Sequence, residues 1–244
     1  MNSRQKAILF ATTKCYIENG EPVGSMTLLR SYDMGVSSAT IRSEMAWLEE
    51  NGFLYHPYTS AGRVPTDYGY RFYVDELMHV YHLSNNEQQM IEAQYISPEN
   101  SFHRILQKTV KFISDFLTCT TLITTPDLED VYLSGTARLI DNPEFNDVQK
   151  IRKVLEILDQ KQMLIELLKE ELKDNLVLLK IGAETHEPLL EDCSIIAAQY
   201  HINNRPAGII SVLTTKRAQY NRIQTAMHSI VRQLDDAFDR ATVA

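Results

Sequence analysis

Between Arg4 and Asn19 the apolar positions recur at helical spacing. Ile8, Leu9, Thr12, Cys15 and Tyr16 fall on one side, and Asn19-Gly20 suits a stop because glycine tolerates the left-handed position after a helix. Glu21-Pro22-Val23-Gly24 reads as a turn. Ser25 then caps a second short helix with Met26, Leu28, Leu29 and Tyr32 inward, ending near Met34-Gly35. A third helix follows, with Ser37 as its cap and Val36 paired with Ile41 as a hydrophobic staple. At about 100° per residue, Ile41, Met45 and Leu48 make a narrow inward seam. Ala39, Ser43 and Ala46 point the opposite way, flanked by Thr40 and Arg42. After Asn51-Gly52 the period changes to two. Phe53-Leu54-Tyr55, the turn-like Thr59-Ser60-Ala61-Gly62 and the returning Val64-Pro65 predict a hairpin with Arg63 at or beside its tip. Thr66 caps a further helix whose Tyr70, Phe72, Tyr73, Val74 and Leu77 serve as a strut beneath that hairpin.

Further along, Ser84-x-x-Glu87 is a capping box, and Ser97-Pro98 opens a helix with proline in its first turn. Its stripe of Phe102, Ile105, Leu106, Thr109, Ile113, Phe116 and Leu117 fits a core or a dimer seam. Asn146 to Leu172 predicts a long amphipathic helix with a solvated charged face. Leu176–Ile181, Cys193–Gln199 and Ala207–Thr214 predict strands, the last two joined through Ile202–Pro206, and Tyr220–Arg240 a final helix. The resulting organisation is α+β: residues 1–82 as one domain, 83–125 as connecting helices and 126–244 as a small α/β domain.

Composition narrows the choices. The 244 residues are 44 % hydrophobic, enough for two modest cores. No apolar run approaches the roughly 20 residues of a spanning helix, and the N-terminus shows no secretion signal, so a cytoplasmic protein without membrane contact is expected. Cys15, Cys119 and Cys193 are too scattered for a disulfide framework. His79 and His82 lack further ligands at metal spacing, and Cys193 near His186 and His201 begins a buried strand. With no phosphate loop and no paired carboxylates in context, neither an enzyme, a metal nor a cofactor is expected.

The formal net charge of −8 bears directly on nucleic-acid binding. Residues 1–83 hold seven Lys/Arg against nine Asp/Glu, so a few well-placed arginines must act locally. The third helix and the hairpin are nevertheless the parts of a winged-helix reader of double-stranded DNA. An outer face of small residues lets a helix sit deep in the major groove, where Thr40, Arg42 and Ser43 reach base edges or phosphates. Ser37 and Ser38 stand where free backbone N–H groups favour a phosphate oxygen. Thr59, Ser60, Gly62 and Arg63 offer a small-residue tip with one cation for a narrow minor groove. The competing reading of the helix alone is a Ser- and Ala-rich surface that touches nothing.

Residues 1–78 resemble the N-terminal region of the HrcA family of heat-inducible transcription repressors, in EPVGS (Glu21–Ser25), SSATIRSEMAWLEENGFL (Ser37–Leu54) and TSAGRVPTDYGYRFYVD (Thr59–Asp75). VYLSGTARLIDNPEF (Val131–Phe145), IGAETHEPLLEDCSIIAAQY (Ile181–Tyr200) and RPAGIISVLTTKRAQYNRI (Arg205–Ile223) are similar to the same family's regulatory region. The resemblance implies a GAF-like second domain and a homodimer that binds an inverted-repeat operator of chaperone genes, with the GroEL chaperonin as supporting partner. Departures are Ser43 for the usual Asn, His56 for Gln and Tyr58 for His, with Glu184-Thr185-His186 and Thr214–Ala218 differing further on. A large block, including an inserted dimerisation segment, is missing between Pro126 and Val131, so the family's mode of dimerisation does not carry over. Two rivals stand beside the repressor: a ligand-gated winged-helix regulator and a winged-helix protein-interaction module.

Overall fold

A computed structural model describes residues 1–96, 101–145, 147–160, 163–166, 169 and 177–243. It forms two compact units, Met1–Val80 with Lys216–Asn221, and Tyr81–Thr215 with Arg222–Ala244.

In the first unit α1 (Ser3–Asn19) begins at a reciprocal cap between Asn2 and Gln5 and ends at Gly20, whose φ of 74° lets its N–H reach the Tyr16 carbonyl. α2 (Ser25–Ser31) is capped by the extended backbone of Gly24, and Ser25 is its first helical residue rather than its cap. Of the side chains expected inward on α2 only Leu28 is fully buried; Met26 is 48 % exposed and Leu29 39 %. Seven residues give two turns, and the single row that meets α1 and α3 is filled by Ser25 and Leu28. α3 (Ser38–Glu50) follows the sequence pattern closely. Ser37 Oγ accepts the Thr40 N–H at 3.2 Å, and Ile41, Met45 and Leu48 are buried in one cluster with Ile8, Leu9 and Leu28. Val36 packs on that cluster as the staple predicts. Burying each such side chain contributes about 1.5–3 kcal/mol, which fixes α3 on its inner side only.

The chain then pairs β1 (Leu54–Tyr55) antiparallel with β2 (Val64–Pro65). Val23 and Arg63 exchange both backbone hydrogen bonds at 2.9 and 2.8 Å, adding a third short segment to the hairpin. Thr66 caps α4 (Asp67–Phe72), which widens into a π-helical turn at Tyr73–Leu77. Lys216 holds Asp67 at 2.8 Å, and Tyr220 meets Tyr70 edge-on.

The second unit is built on an antiparallel sheet in the order β4-β3-β7-β6-β5, formed by β3 (Thr120–Thr124), β4 (Val131–Ser134), β5 (Val177–Ile181), β6 (Cys193–Ile202) and β7 (Arg205–Thr215). One face packs Leu122, Ile195, Ile209 and Leu213 with Val154, Ile157 and Leu158 of α8 (Val148–Asp159). On the other face Tyr200 packs at a tilt on Phe238 of α9 (Tyr220–Val243), which in turn meets Phe102 of α6 (Phe102–Leu117). Two smaller helices, α5 (Asn85–Ala93) and α7 (Thr136–Ile140), complete the unit.

Several expectations need correcting here. Residues 83–125 are not a separate connection, because α6 and β3 belong to the sheet unit and the α6 stripe, buried from Ile105 to Leu117, is core rather than a dimer seam. β3 and β4 escaped the sequence reading. Thr120–Thr124 is buried on both faces and so shows no alternation, while Val131–Ser134 is a four-residue edge. The β6–β7 connection is a two-residue turn, Asn203-Asn204, both at positive φ, not a five-residue loop. In α8, Val148 is 74 % exposed, so the helix turns its buried row on Val154, Ile157 and Leu158. Ser97-Pro98, Leu168, Leu172 and Leu176 lie outside the described residues.

The predicted capping box has an electrostatic consequence. Glu87 accepts from the Ser84 backbone N–H at 3.0 Å, from Arg222 Nε at 3.0 Å and from the Tyr81 hydroxyl. These bonds, the Ser84 N–H foremost, outweigh the cost of burial and hold its carboxyl down at about 2. A depressed folded value means the stabilisation is complete above the ordinary 4.5 and is lost as the pH falls from there towards 2. Glu87→Gln is therefore expected to cost about 1–2 kcal/mol at neutral pH and to flatten the acid limb of the stability curve. Thermal melts of both proteins across that pH range check it.

Candidate nucleic-acid interface

α3 turns a bare flank to solvent. Ala39, Arg42 and Ser43 are exposed, and Ser38, Thr40 and Ala46 are half-buried beside them. The flank exists because the apolar residues of this helix repeat only along the Ile41, Met45, Leu48 row, leaving small and polar positions elsewhere. Ser37 and Thr40 are engaged in the cap, with their hydroxyl oxygens 3.0 Å apart. Arg42 has no ion pair or hydrogen bond among the described residues.

The hairpin departs from the sequence reading. Its tip is the turn Tyr58–Ala61, closed by the Ala61 N–H on the Tyr58 carbonyl at 2.9 Å, with Thr59 and Ser60 exposed on it. Arg63 is not at that tip. Its backbone is paired with Val23, and its guanidinium lies back on the Glu49 carboxylate, Nη2 at 2.9 Å and Nε at 3.2 Å, leaving the side chain 13 % exposed. Gly62 likewise packs under the Pro22–Val23 backbone, where a Cβ would come within 2.6 Å of backbone atoms. The physical reason is register: with Val64 buried and paired to Tyr55, residues 62 and 63 are drawn into the Val23 pairing and away from the turn.

Glu49 is the residue that sequence reasoning missed. It receives Arg63 on Oε2 and His56 Nδ1 at 2.5 Å on Oε1, tying the last turn of α3 to both strands' ends. Burial pushes its carboxyl up, but the His56 hydrogen bond and the Arg63 charge outweigh this and the net direction is down. No local pattern reveals this, since the partners are 7 and 14 residues away and meet only when the hairpin folds back.

The same geometry bears on the charge balance of this unit. Glu44 is engaged by Gln5 at 3.1 Å and Arg4 at 3.7 Å on the inner side, and Glu49 by the hairpin. Two of the three carboxylates of α3 thus have partners away from the flank, the third, Glu50, is exposed at the end of the helix, and Arg42 is the exposed cation of α3. Arg42, Met26, His56, Thr59, Ser60, Gly62 and Arg63 line one concavity of about 400 Å³ between α2, α3 and the hairpin, whereas Ser37, Ser38, Thr40 and Ser43 lie outside its lining. Among the described residues no three His, Cys, Asp or Glu side chains are grouped to hold a metal, and no helix is long and apolar enough to cross a membrane.

Comparison with known proteins adds the following. A family model described as the HrcA protein C terminal domain matches residues 82–223. The chain is 25 % identical to the heat-inducible transcription repressor HrcA of Pelotomaculum thermopropionicum, over 98 % of this chain and 97 % of that protein. It is 29 % identical to the protein of the same name from a Clostridium botulinum strain, over 97 % of each. These alignments run over 339 and 338 positions against the 244 residues here, so both relatives carry a segment with no counterpart in this chain. A crystal structure described as a hypothetical protein aligns with a TM-score of 0.80 at 20 % identity, covering 99 % of this chain and 98 % of that one, and so shares the fold.

Proposed function

We infer the function of this chain from one premise: it belongs to the HrcA family, whose characterised members are transcription repressors and not enzymes. On this reading it is a cytoplasmic, heat-inducible repressor of chaperone genes. Its first unit is a winged-helix domain, with α3 as the recognition helix and the β1–β2 hairpin as the wing. Its second unit is a reduced GAF-like domain, a reading supported by the helix-covered five-stranded antiparallel sheet. The protein acts as a homodimer on an inverted repeat of double-stranded DNA, with the GroEL chaperonin as the partner implied for the second unit.

The observation that carries this is the exposed flank of α3, with one unpaired arginine facing the concavity shared with the hairpin. Such a flank is narrow enough to enter a major groove, and Arg42 and Ser43 then reach base edges while Ser37, Ser38 and Thr40 lie towards the phosphates. Selection of bound duplexes from a random pool tests it. A two-fold symmetric consensus with half-sites about one helical turn apart or a multiple of that is expected. Enrichment of no sequence at low salt contradicts the reading.

A further inference from the structure

We propose that the hairpin touches DNA through the ring of Tyr58, as a contact without formal charge, while Arg63 serves to hold the hairpin in place. The inference rests on the DNA-reading assignment of the first unit and names a contact residue that the assignment did not contain.

Between Phe53 and Pro65 the chain has one Lys or Arg, and that one, Arg63, is held by both Nε and Nη2 on Glu49. His56, the other cation candidate, is on the second oxygen of the same carboxylate. The hairpin therefore has no cation free to meet a phosphate. Its tip instead carries Pro57, Tyr58, Thr59 and Ser60, all exposed, with the Tyr58 side of the turn fixed by the Ala61 hydrogen bond. Tyr58 is 62 % exposed, although an aromatic ring of its size is usually buried or placed at an interface. Thr59 and Ser60 line the same concavity as Arg42, so the tip stands on the side of the molecule that the α3 flank occupies. With α3 in a major groove, the tip falls on the adjoining backbone. There the Tyr58 ring lies against deoxyribose and the minor-groove wall, and its hydroxyl donates to a phosphate oxygen.

A neutral contact releases no counterion, whereas a cationic one lowers the salt dependence of binding by about 0.9 when it is removed. This separates the two roles in one experiment. The full-length protein and its Tyr58→Ala, Tyr58→Phe and Arg42→Ala variants are titrated with the selected duplex over a salt series. Tyr58→Ala is expected to bind about tenfold more weakly at an unchanged salt slope, Tyr58→Phe to fall between it and the wild type because the ring stays and the phosphate hydrogen bond goes, and Arg42→Ala to lose slope as well as affinity. Because the ring is exposed, melting temperatures should match. Wild-type affinity in Tyr58→Ala overturns the inference alone. So does a loss that appears with dissociation of the dimer in sedimentation, which would place the ring against a second copy of the chain. A wild-type protein that selects no duplex removes the DNA-reading assignment itself.

Discussion

Replacing Arg42 with alanine is expected to weaken operator binding by about 1–3 kcal/mol, roughly five- to 150-fold, with the melting temperature unchanged. The guanidinium contributes nothing visible to the fold: it is exposed and has no partner among the described residues. On the proposed reading it is also the cation through which α3 meets DNA, since Glu44 and Glu49 are engaged by Arg4, Gln5, His56 and Arg63. On that reading its loss removes both a base contact and the one Lys/Arg side chain of α3. Arg42→Lys should restore part of the affinity but not the discrimination, since a lysine is a point charge without the planar fork that meets two acceptors of guanine. Fluorescence titration of labelled duplex with wild-type, alanine and lysine proteins gives the comparison, with thermal melts as the check on folding.

The second large effect is expected at the glycines that seat the hairpin. A Cβ on Gly69 would lie 2.1 Å from the Phe53 carbonyl oxygen, and one on Gly62 would lie 2.5–2.6 Å from backbone atoms of Val23 and Pro22. Neither neighbour is the mobile end of a side chain, so the backbone itself must shift. Gly69→Ala pushes α4 from the Phe53 carbonyl, which also accepts the Thr66 N–H at 3.1 Å, and should destabilise the first unit by about 3 kcal/mol. Gly62→Ala breaks the Val23–Arg63 pairing and so displaces the hairpin, for a loss of about 1–3 kcal/mol. Melting curves register both, and operator titration should show Gly62→Ala binding poorly even at temperatures where the protein stays folded.

The first unit was readable because its signals are local. Caps at Ser37 and Thr66, the staple of Val36, and the Ile41, Met45, Leu48 row all depend on neighbours within one or two turns. The position of Arg63 was not, because it is set by a pairing with Val23, 40 residues upstream, and by a carboxylate on another element. In the second unit α6, the final helix and the β6–β7 hairpin announced themselves, whereas the short α7 was not expected and β3 is buried on both faces and lacks period two. Asn203-Asn204 did carry its signal, since two residues at positive φ are what a tight hairpin turn demands. Exposure of Met26 and Leu29 followed from what α2 packs against, which no spacing within α2 encodes.

The central claim is that the α3 flank reads base edges in the major groove, and protection of guanine N7 against methylation addresses it at the atom concerned. With the selected operator, the wild-type protein should protect symmetry-related guanines in both half-sites, and Arg42→Ala, at concentrations that restore occupancy, should leave those guanines reactive while the rest of the footprint persists. An identical protection pattern for the two proteins, or protection confined to the minor groove, would contradict the account.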